Sequence, residues 1–229
     1  MKCMICERQL AARLSLVDLF LFKALMPEVI CLTCKREFER IDKNISCPNC
    51  SKPNVGGICQ DCLTWDRLDN LGRIQHEALF SYNKAMQEWF KQYKFSGDMR
   101  LASCFRSDLK QLLDRYRGWI ITTIPLGDQR LQERGFNQVD ELLNQAGVKV
   151  IPLFTKCETV YGAQSEKGRY ERLRTPQTFA LYSNSEIDFK TAKIVVVDDV
   201  YTTGRTLRHA CSLLKGVGVS EIRTVSLAR

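Results

Sequence analysis

Four CxxC pairs crowd the first 62 residues: CMIC (Cys3, Cys6), CLTC (Cys31, Cys34), CPNC (Cys47, Cys50) and CQDC (Cys59, Cys62), eight of the chain's 11 cysteines. A CxxC turn aims two thiolates at one tetrahedral ion, and a second pair closes the shell, leaving no position for substrate or water. Such a site is structural. The gaps between consecutive pairs are 24, 12 and 8 residues. Sequential pairing predicts one zinc site from Cys3, Cys6, Cys31 and Cys34 and another from Cys47, Cys50, Cys59 and Cys62; an interleaved arrangement is also compatible with the spacing. The second set, with Gly56 and Gly57 in its hairpin, has the compact form of a zinc ribbon. A single CxxC is open to a redox reading, but four in tandem without a preceding thioredoxin-like strand point to metal. Cys104, Cys157 and Cys211 stand alone and read as small buried hydrophobes.

The pairs stop at Cys62, and TWDRLDNLGRI (64–74) leads into a different pattern. This predicts a zinc-binding module over 1–66 and a second domain over 74–229. Within the module, LSLVDLFLFKALM (14–26) reads as a helix apolar on nearly every side, to be covered by internal packing or by a partner. It contains Asp18 and Lys23 and is shorter than the roughly 20 residues of a bilayer span, so no membrane span is predicted. MKCMIC lacks the charged start and apolar core of a secretory signal, which places the chain in the reducing cytoplasm.

Beyond residue 74 strands alternate with helices. HEALFSY (76–82) reads as a strand and AMQEWFKQY (85–93) as a helix, with Met86, Trp89, Phe90 and Tyr93 at i, i+3, i+4 and i+7 facing a core. A helix over 99–115, a strand at WIITTIP (119–125), a helix at FNQVDELLNQA (136–146) and a strand at VKVIPLF (148–154) follow. KIVVVDD (193–199) is the strongest strand signal, then come a helix over 205–215, closed by Gly216 and Gly218, and the strand EIRTVSLA (221–228). This order predicts an α/β fold, a parallel twisted sheet with helices on both faces and a ligand site at the carboxyl ends of its strands. No GxxxxGK[ST] loop occurs, so the chain does not read as an ATP-driven motor.

The 34 Lys and Arg against 26 Asp and Glu give a net charge of +8. Two zinc ions in four-thiolate shells would each carry −2, leaving about +4. An acidic partner is expected, either nucleic acid or a phosphorylated small molecule. Lys91, Lys94, Arg100, Arg106, Lys110, Arg115 and Arg117 interleave with Trp89, Phe90, Tyr93, Phe105 and Tyr116, a mixture that single-stranded DNA binding uses. A basic solvated face over a core-facing aromatic stripe fits the same residues.

The stretch IVVVDDVYTTGRT (194–206) ends a buried strand on two acids. Asp198 and Asp199 cannot both enter a core without a large desolvation cost, so at least one faces a ligand, and ribose hydroxyls suit them. Thr202, Thr203, Gly204 and Thr206 then open a helix whose backbone N–H groups and dipole favour an anion. Acids and cradle lie about one sugar phosphate apart. The stretch resembles the signature of type I phosphoribosyltransferases for phosphoribosyl pyrophosphate (PRPP). The resemblance implies that Asp198 and Asp199 contact the ribose, that Thr202, Thr203, Gly204, Arg205 and Thr206 cradle the 5′-phosphate, and that Mg²⁺ accompanies PRPP.

IPLGDQRLQERGFNQVDELL (124–143) puts Arg130 and Arg134 beyond another strand end, where they could meet a pyrophosphate. Taken with KFSGD (94–98), ERGFNQ (133–138), the four CxxC pairs and the acid-pair motif, in this order, the whole chain resembles the ComF family of late competence proteins. That resemblance implies a role in uptake or processing of transforming single-stranded DNA beside a ComFA-like ATP-dependent helicase. It leaves open whether the chain is an active phosphoribosyltransferase on a base or amine acceptor, or a scaffold that does no catalysis. GAQSEKGRYERLRT (162–175) falls where such transferases carry a lid, with Gln164, Arg169, Arg172 and Arg174 as the residues that would close on the ligand.

Overall fold

The apolar β-branched run 194–197 makes the middle of the sheet, because such side chains suit a strand covered on both faces. A computed structural model describes residues 1–10, 28–69, 71–156, 179–182 and 187–229. After α1 (Leu32–Glu37) and α2 (Gln60–Leu68) come β1 (His76–Phe80), α3 (Lys84–Phe95), α4 (Arg106–Leu113) and β2 (Ile120–Thr123). There follow α5 (Asp128–Arg134), α6 (Gln138–Gln145), β3 (Phe154–Lys156), β4 (Phe179–Leu181), β5 (Lys193–Val200), α7 (Arg205–Gly216) and β6 (Glu221–Ala228). Four strands form a parallel sheet in the order β1-β6-β5-β2, and β3 pairs antiparallel with β4.

Strand alternation divides the core into two layers. Val195, Val197, Val225 and Leu227 face a cluster built by α3, the 3₁₀ segment Met99–Phe105, α4 and α6. Ile194, Val196 and Ile222 face the opposite cluster, filled by Leu207, Ala210, Cys211 and Leu214 of α7. Helices therefore cover both faces, as the alternation predicts. The cysteine-rich residues contribute to both layers: Cys3, Ile30 and Phe38 join the first, and Cys47, Cys50, Cys59 and Cys62 join the second. Residues 39–41 also cap the β1 edge, through Ile41 N–H to the Leu79 carbonyl at 3.0 Å and Ser81 N–H to the Glu39 carbonyl at 2.8 Å.

The predicted stripe on α3 is core: Met86, Trp89, Phe90 and Tyr93 are all buried, and Asn83 caps the helix by accepting from Met86 N–H at 3.0 Å. Phe105 is buried too, so these aromatics offer no face for base stacking. Three expectations are corrected. The helix expected over 99–115 is broken into a 3₁₀ turn, α4 and a further 3₁₀ turn at Asp114–Tyr116, because Phe105 leaves helical geometry at φ −113° and ψ 11°. The strand expected over 148–154 begins only at Phe154. Ile151 and Leu153 still bond to β2, through the Ile121 carbonyl and the Thr122 hydroxyl, but Pro152 between them has no N–H with which to extend a ladder. The arginine-bearing stretch 124–143, read as a loop leading to one helix, carries the additional helix α5.

Among the described residues no helix is long and apolar enough to cross a membrane. The apolar segment 14–26, Cys157 and the lid segment 162–175, with Gln164, Arg169, Arg172 and Arg174, lie outside the described residues. Cys104 and Cys211 are buried hydrophobes as expected, each thiol pushed up to about 12 by burial.

Candidate sugar-phosphate site and metal centres

At the carboxyl end of β5 the alternation sends Asp198 and Asp199 to opposite sides of the sheet. Asp199 pairs with Lys94, which reaches over from α3 with its Nζ 4.5 Å from the centre of the Phe90 ring. Both side chains are about four-fifths buried, at 18% and 19% exposure, so the pair is more than a screened surface contact. Asp198 accepts a hydrogen bond from Asp199 N–H at 2.9 Å. Burial first, and the Asp199 carboxylate second, push its pKa up to about 7. A carboxyl held this far above its ordinary range by burial and a like charge is a candidate functional group.

Arg134, at the end of α5, is half-buried and donates to Gln138 Oε1 at 2.8 Å, its guanidinium 5.8 Å from the Phe95 ring centre. Burial and the nearby Arg130 lower its pKa, while Asp199 and Glu133 act in the opposite sense. Arg134 thus shares an electrostatic environment with Asp199. Arg130 lies one turn earlier on α5 and is exposed. Lys94 was not among the predicted ligand-site residues; its signal was KFSGD, placed at the end of an amphipathic helix whose buried face already pointed at the sheet.

The chain leaves β5 through a tight loop into α7. Thr202 and Thr206 are exposed, Thr203 and Gly204 buried, and Arg205 half-buried. Gly204 caps α7 in the left-handed region at φ 77°, and Arg205 N–H donates to the Thr203 hydroxyl at 3.4 Å. A Cβ at Gly204 would overlap the Tyr201 ring. Only glycine fits, on both conformational and steric grounds. Gly204→Ala is expected to cost about 2–3 kcal/mol, several degrees in a thermal melt, and to displace the neighbouring threonines.

The cysteines form two clusters, Cys3, Cys6, Cys31 and Cys34, and Cys47, Cys50, Cys59 and Cys62, each with its sulfurs within 4.8 Å of one another. Pairing is therefore sequential. Bonds of about 2.3 Å from a tetrahedral zinc place sulfurs about 3.8 Å apart. Cys6 and Cys31 are 3.7 Å apart and Cys47 and Cys62 3.8 Å, so the donors fit the ion. Cys31 N–H points at the Cys3 sulfur and Cys59 N–H at the Cys47 sulfur, both at 3.3 Å, as suits thiolates. The neighbouring Cys62 thiol, working against burial, helps bring Cys50 down to about 5, and the same contact, with burial second, drives Cys62 well above its ordinary range. Four sulfurs this close cannot all ionise without a cation among them. Both clusters could hold zinc, which would supply cross-linking and no open coordination position.

A family model described as a phosphoribosyl transferase domain matches residues 132–229, which include β5, the loop and α7. Competence protein ComFC of Streptococcus pneumoniae is 38% identical over 229 residues, covering 100% of both chains. Competence protein ComFC of Bacillus subtilis is 31% identical over 229 residues, covering 95% of this chain and 91% of the relative. DNA utilization protein YhgH of Escherichia coli is 28% identical over 224 residues, covering 87% and 90%. A hypoxanthine phosphoribosyltransferase from Staphylococcus aureus overlays 63% of this chain and 71% of its own at 15% identity and a TM-score of 0.35, too partial to bear on the site. Identity to ComFC across all 229 residues, together with a phosphoribosyl transferase domain laid over the acid pair and its loop, makes this chain a member of the ComF family.

Proposed function

We propose that the chain acts in the uptake or processing of transforming single-stranded DNA, and that the end of β5 binds Mg²⁺ with PRPP or a related sugar phosphate. The observation that carries the reading is the acid pair beside the glycine-started helix α7, with Arg134 in the electrostatic range of Asp199. Asp198 and Asp199 hold the ribose hydroxyls, Thr202 to Thr206 the 5′-phosphate, and Arg130 and Arg134 the pyrophosphate. Mg²⁺ supplies charge neutralisation on the pyrophosphate. In this reading residues 1–66 are the zinc-binding module, 74–229 the phosphoribosyltransferase-like domain, and a ComFA-like helicase provides the ATP-driven step. Titrating the purified chain with PRPP tests the ligand directly: heat of binding that requires Mg²⁺ supports it, and no heat at millimolar PRPP retires it.

The DNA partner fits the basic excess. With Trp89, Phe90, Tyr93 and Phe105 in the core and Tyr116 half-buried, the described aromatic best placed for stacking is Phe95, which is 77% exposed beside Arg134. Binding to a fluorescent single-stranded oligonucleotide should weaken with salt, with a log–log slope of about −3 if four or so phosphates are contacted. Phe95→Ala should weaken it about ten-fold at constant salt with that slope unchanged, since stacking carries no counterions. Affinity unmoved by Phe95→Ala would take Phe95 out of the DNA path.

A further inference from the structure

Resting on the sugar-phosphate reading above, we propose that Trp65 and Arg229 are positioning residues that fasten the 201–204 loop to the second four-cysteine cluster, so that the metal there orders the ligand site. Three consecutive loop carbonyls are held. Trp65 Nε1 donates to the Thr203 carbonyl at 2.7 Å. Arg229 Nη1 donates to the carbonyls of Tyr201 and Thr202, both at 3.2 Å. Arg229 Nη2 donates to Asp61 Oδ2 at 3.1 Å, and the Arg229 side chain is only 5% exposed.

Both donors lead back to the same short helix. Cys59 caps α2 and Cys62 lies in its first turn. Asp61 sits between these two cysteines, and Trp65 follows Cys62 by three residues on the same face. A zinc ion bridging Cys47 and Cys50 to Cys59 and Cys62 would fix the start of α2, and with it both donors.

The geometry also explains what the fastening does. In a trans peptide the carbonyl of one residue and the N–H of the next point in opposite directions. Turning the carbonyls of Tyr201 and Thr202 toward Arg229, and that of Thr203 toward Trp65, turns the N–H groups of Thr202, Thr203 and Gly204 away from these donors. Those are the amides that would meet a 5′-phosphate. An anion site made of backbone N–H groups works only if the peptides are oriented before the anion arrives, since rotating them afterwards would consume binding energy.

Trp65→Phe keeps the aromatic body and removes only the donor; Arg229→Lys keeps the charge but loses the planar fork whose two ends reach the loop carbonyls and Asp61. Two measurements test the coupling: PRPP affinity in the presence of Mg²⁺, and hydrogen exchange of the 200–206 backbone with no ligand present. Trp65→Phe should lower affinity about five-fold and Arg229→Lys about ten-fold, with two zinc ions still bound. In the ligand-free chain, both variants should exchange the loop at least ten-fold faster while β5 and β6 stay protected, and wild type stripped of zinc should lose protection in the loop together with the sheet. Wild type that fails to bind PRPP overturns the sugar-phosphate reading alone, and the exchange rates still judge the coupling. Trp65→Phe and Arg229→Lys with wild-type loop exchange at full zinc content overturn the coupling.

Discussion

Replacing Asp198 by asparagine is expected to stabilise the protein at pH 8 and to cost it the sugar phosphate, whereas Asp199→Asn should lose the ligand and stability together. The difference comes from what each acid faces. Asp198 has its pKa raised to about 7 by burial and by Asp199. Its folded-state pKa lies above the ordinary unfolded value of about 3.9, so the folded chain keeps a proton that the unfolded chain releases. Stability therefore falls as pH rises from about 4 to about 7 and is flat above. Three units would correspond to about 4 kcal/mol, but the group is half-buried and shares its proton equilibrium with Asp199, which reduces the expected gain from Asp198→Asn at pH 8 to about 1–2 kcal/mol. That gain should vanish at pH 4. Asp199→Asn instead strands the Lys94 ammonium, four-fifths buried, without its counter-charge, at a cost of about 2–3 kcal/mol.

Each variant should weaken Mg²⁺–PRPP binding by about 30-fold, and the double variant by 100-fold or more, since a hydrogen bond to a charged acceptor contributes about 1.5–3 kcal/mol. Thermal melts at pH 4 and pH 8 beside calorimetric titration check both halves. Asp198→Asn that melts lower than wild type at pH 8 would mean that the acid pair is a structural device and not a site held ready for a ligand.

The parts of this site that could be read from the sequence are those where cause and effect are close along the chain. The run 194–197 declares a two-sided strand, the two acids after it cannot both be core, and Gly204 opens α7 where a left-handed residue is needed; all of this lies within 13 residues. The α3 stripe was legible for the same reason, because its 3.6-residue period is local. Lys94 was not, because its partner Asp199 lies more than 100 residues away and a lysine at a helix end ordinarily faces water. Nor was the fastening of the loop, since Trp65 reads as one more aromatic at the end of the cysteine region until Thr203 is brought against it. Sequence composition separates the cysteine-rich residues from the rest, while packing joins them: one cluster lies against each face of the sheet. Periodicity also could not show where the 99–115 helix breaks, because Leu109, Leu112 and Leu113 keep their helical spacing after the kink at Phe105.

Cys59→Ser is expected to be the most damaging single change. The second cluster is buried throughout and shares a hydrophobic core with Ile194, Val196, Leu207 and Leu214, so a metal held there would tie α2 to the sheet from within. Ligands must fold around the ion to bind it, and binding free energy of about 10 kcal/mol or more at pH 7 is then folding free energy. Loss of one thiolate leaves three sulfurs in an apolar layer and should cost at least about 5 kcal/mol, a large part of the stability of a domain this size. Cys6, by contrast, is exposed, and its cluster lies at the rim of the other layer, so Cys6→Ser should cost about 2 kcal/mol while also releasing one ion. Zinc released by acid or by a chromogenic chelator should read two ions per wild-type chain and one in each variant, with the melting temperature falling much further for Cys59→Ser. No zinc in wild type would overturn the metal assignment, and equal melting of the two variants would mean that the second cluster does not anchor the core.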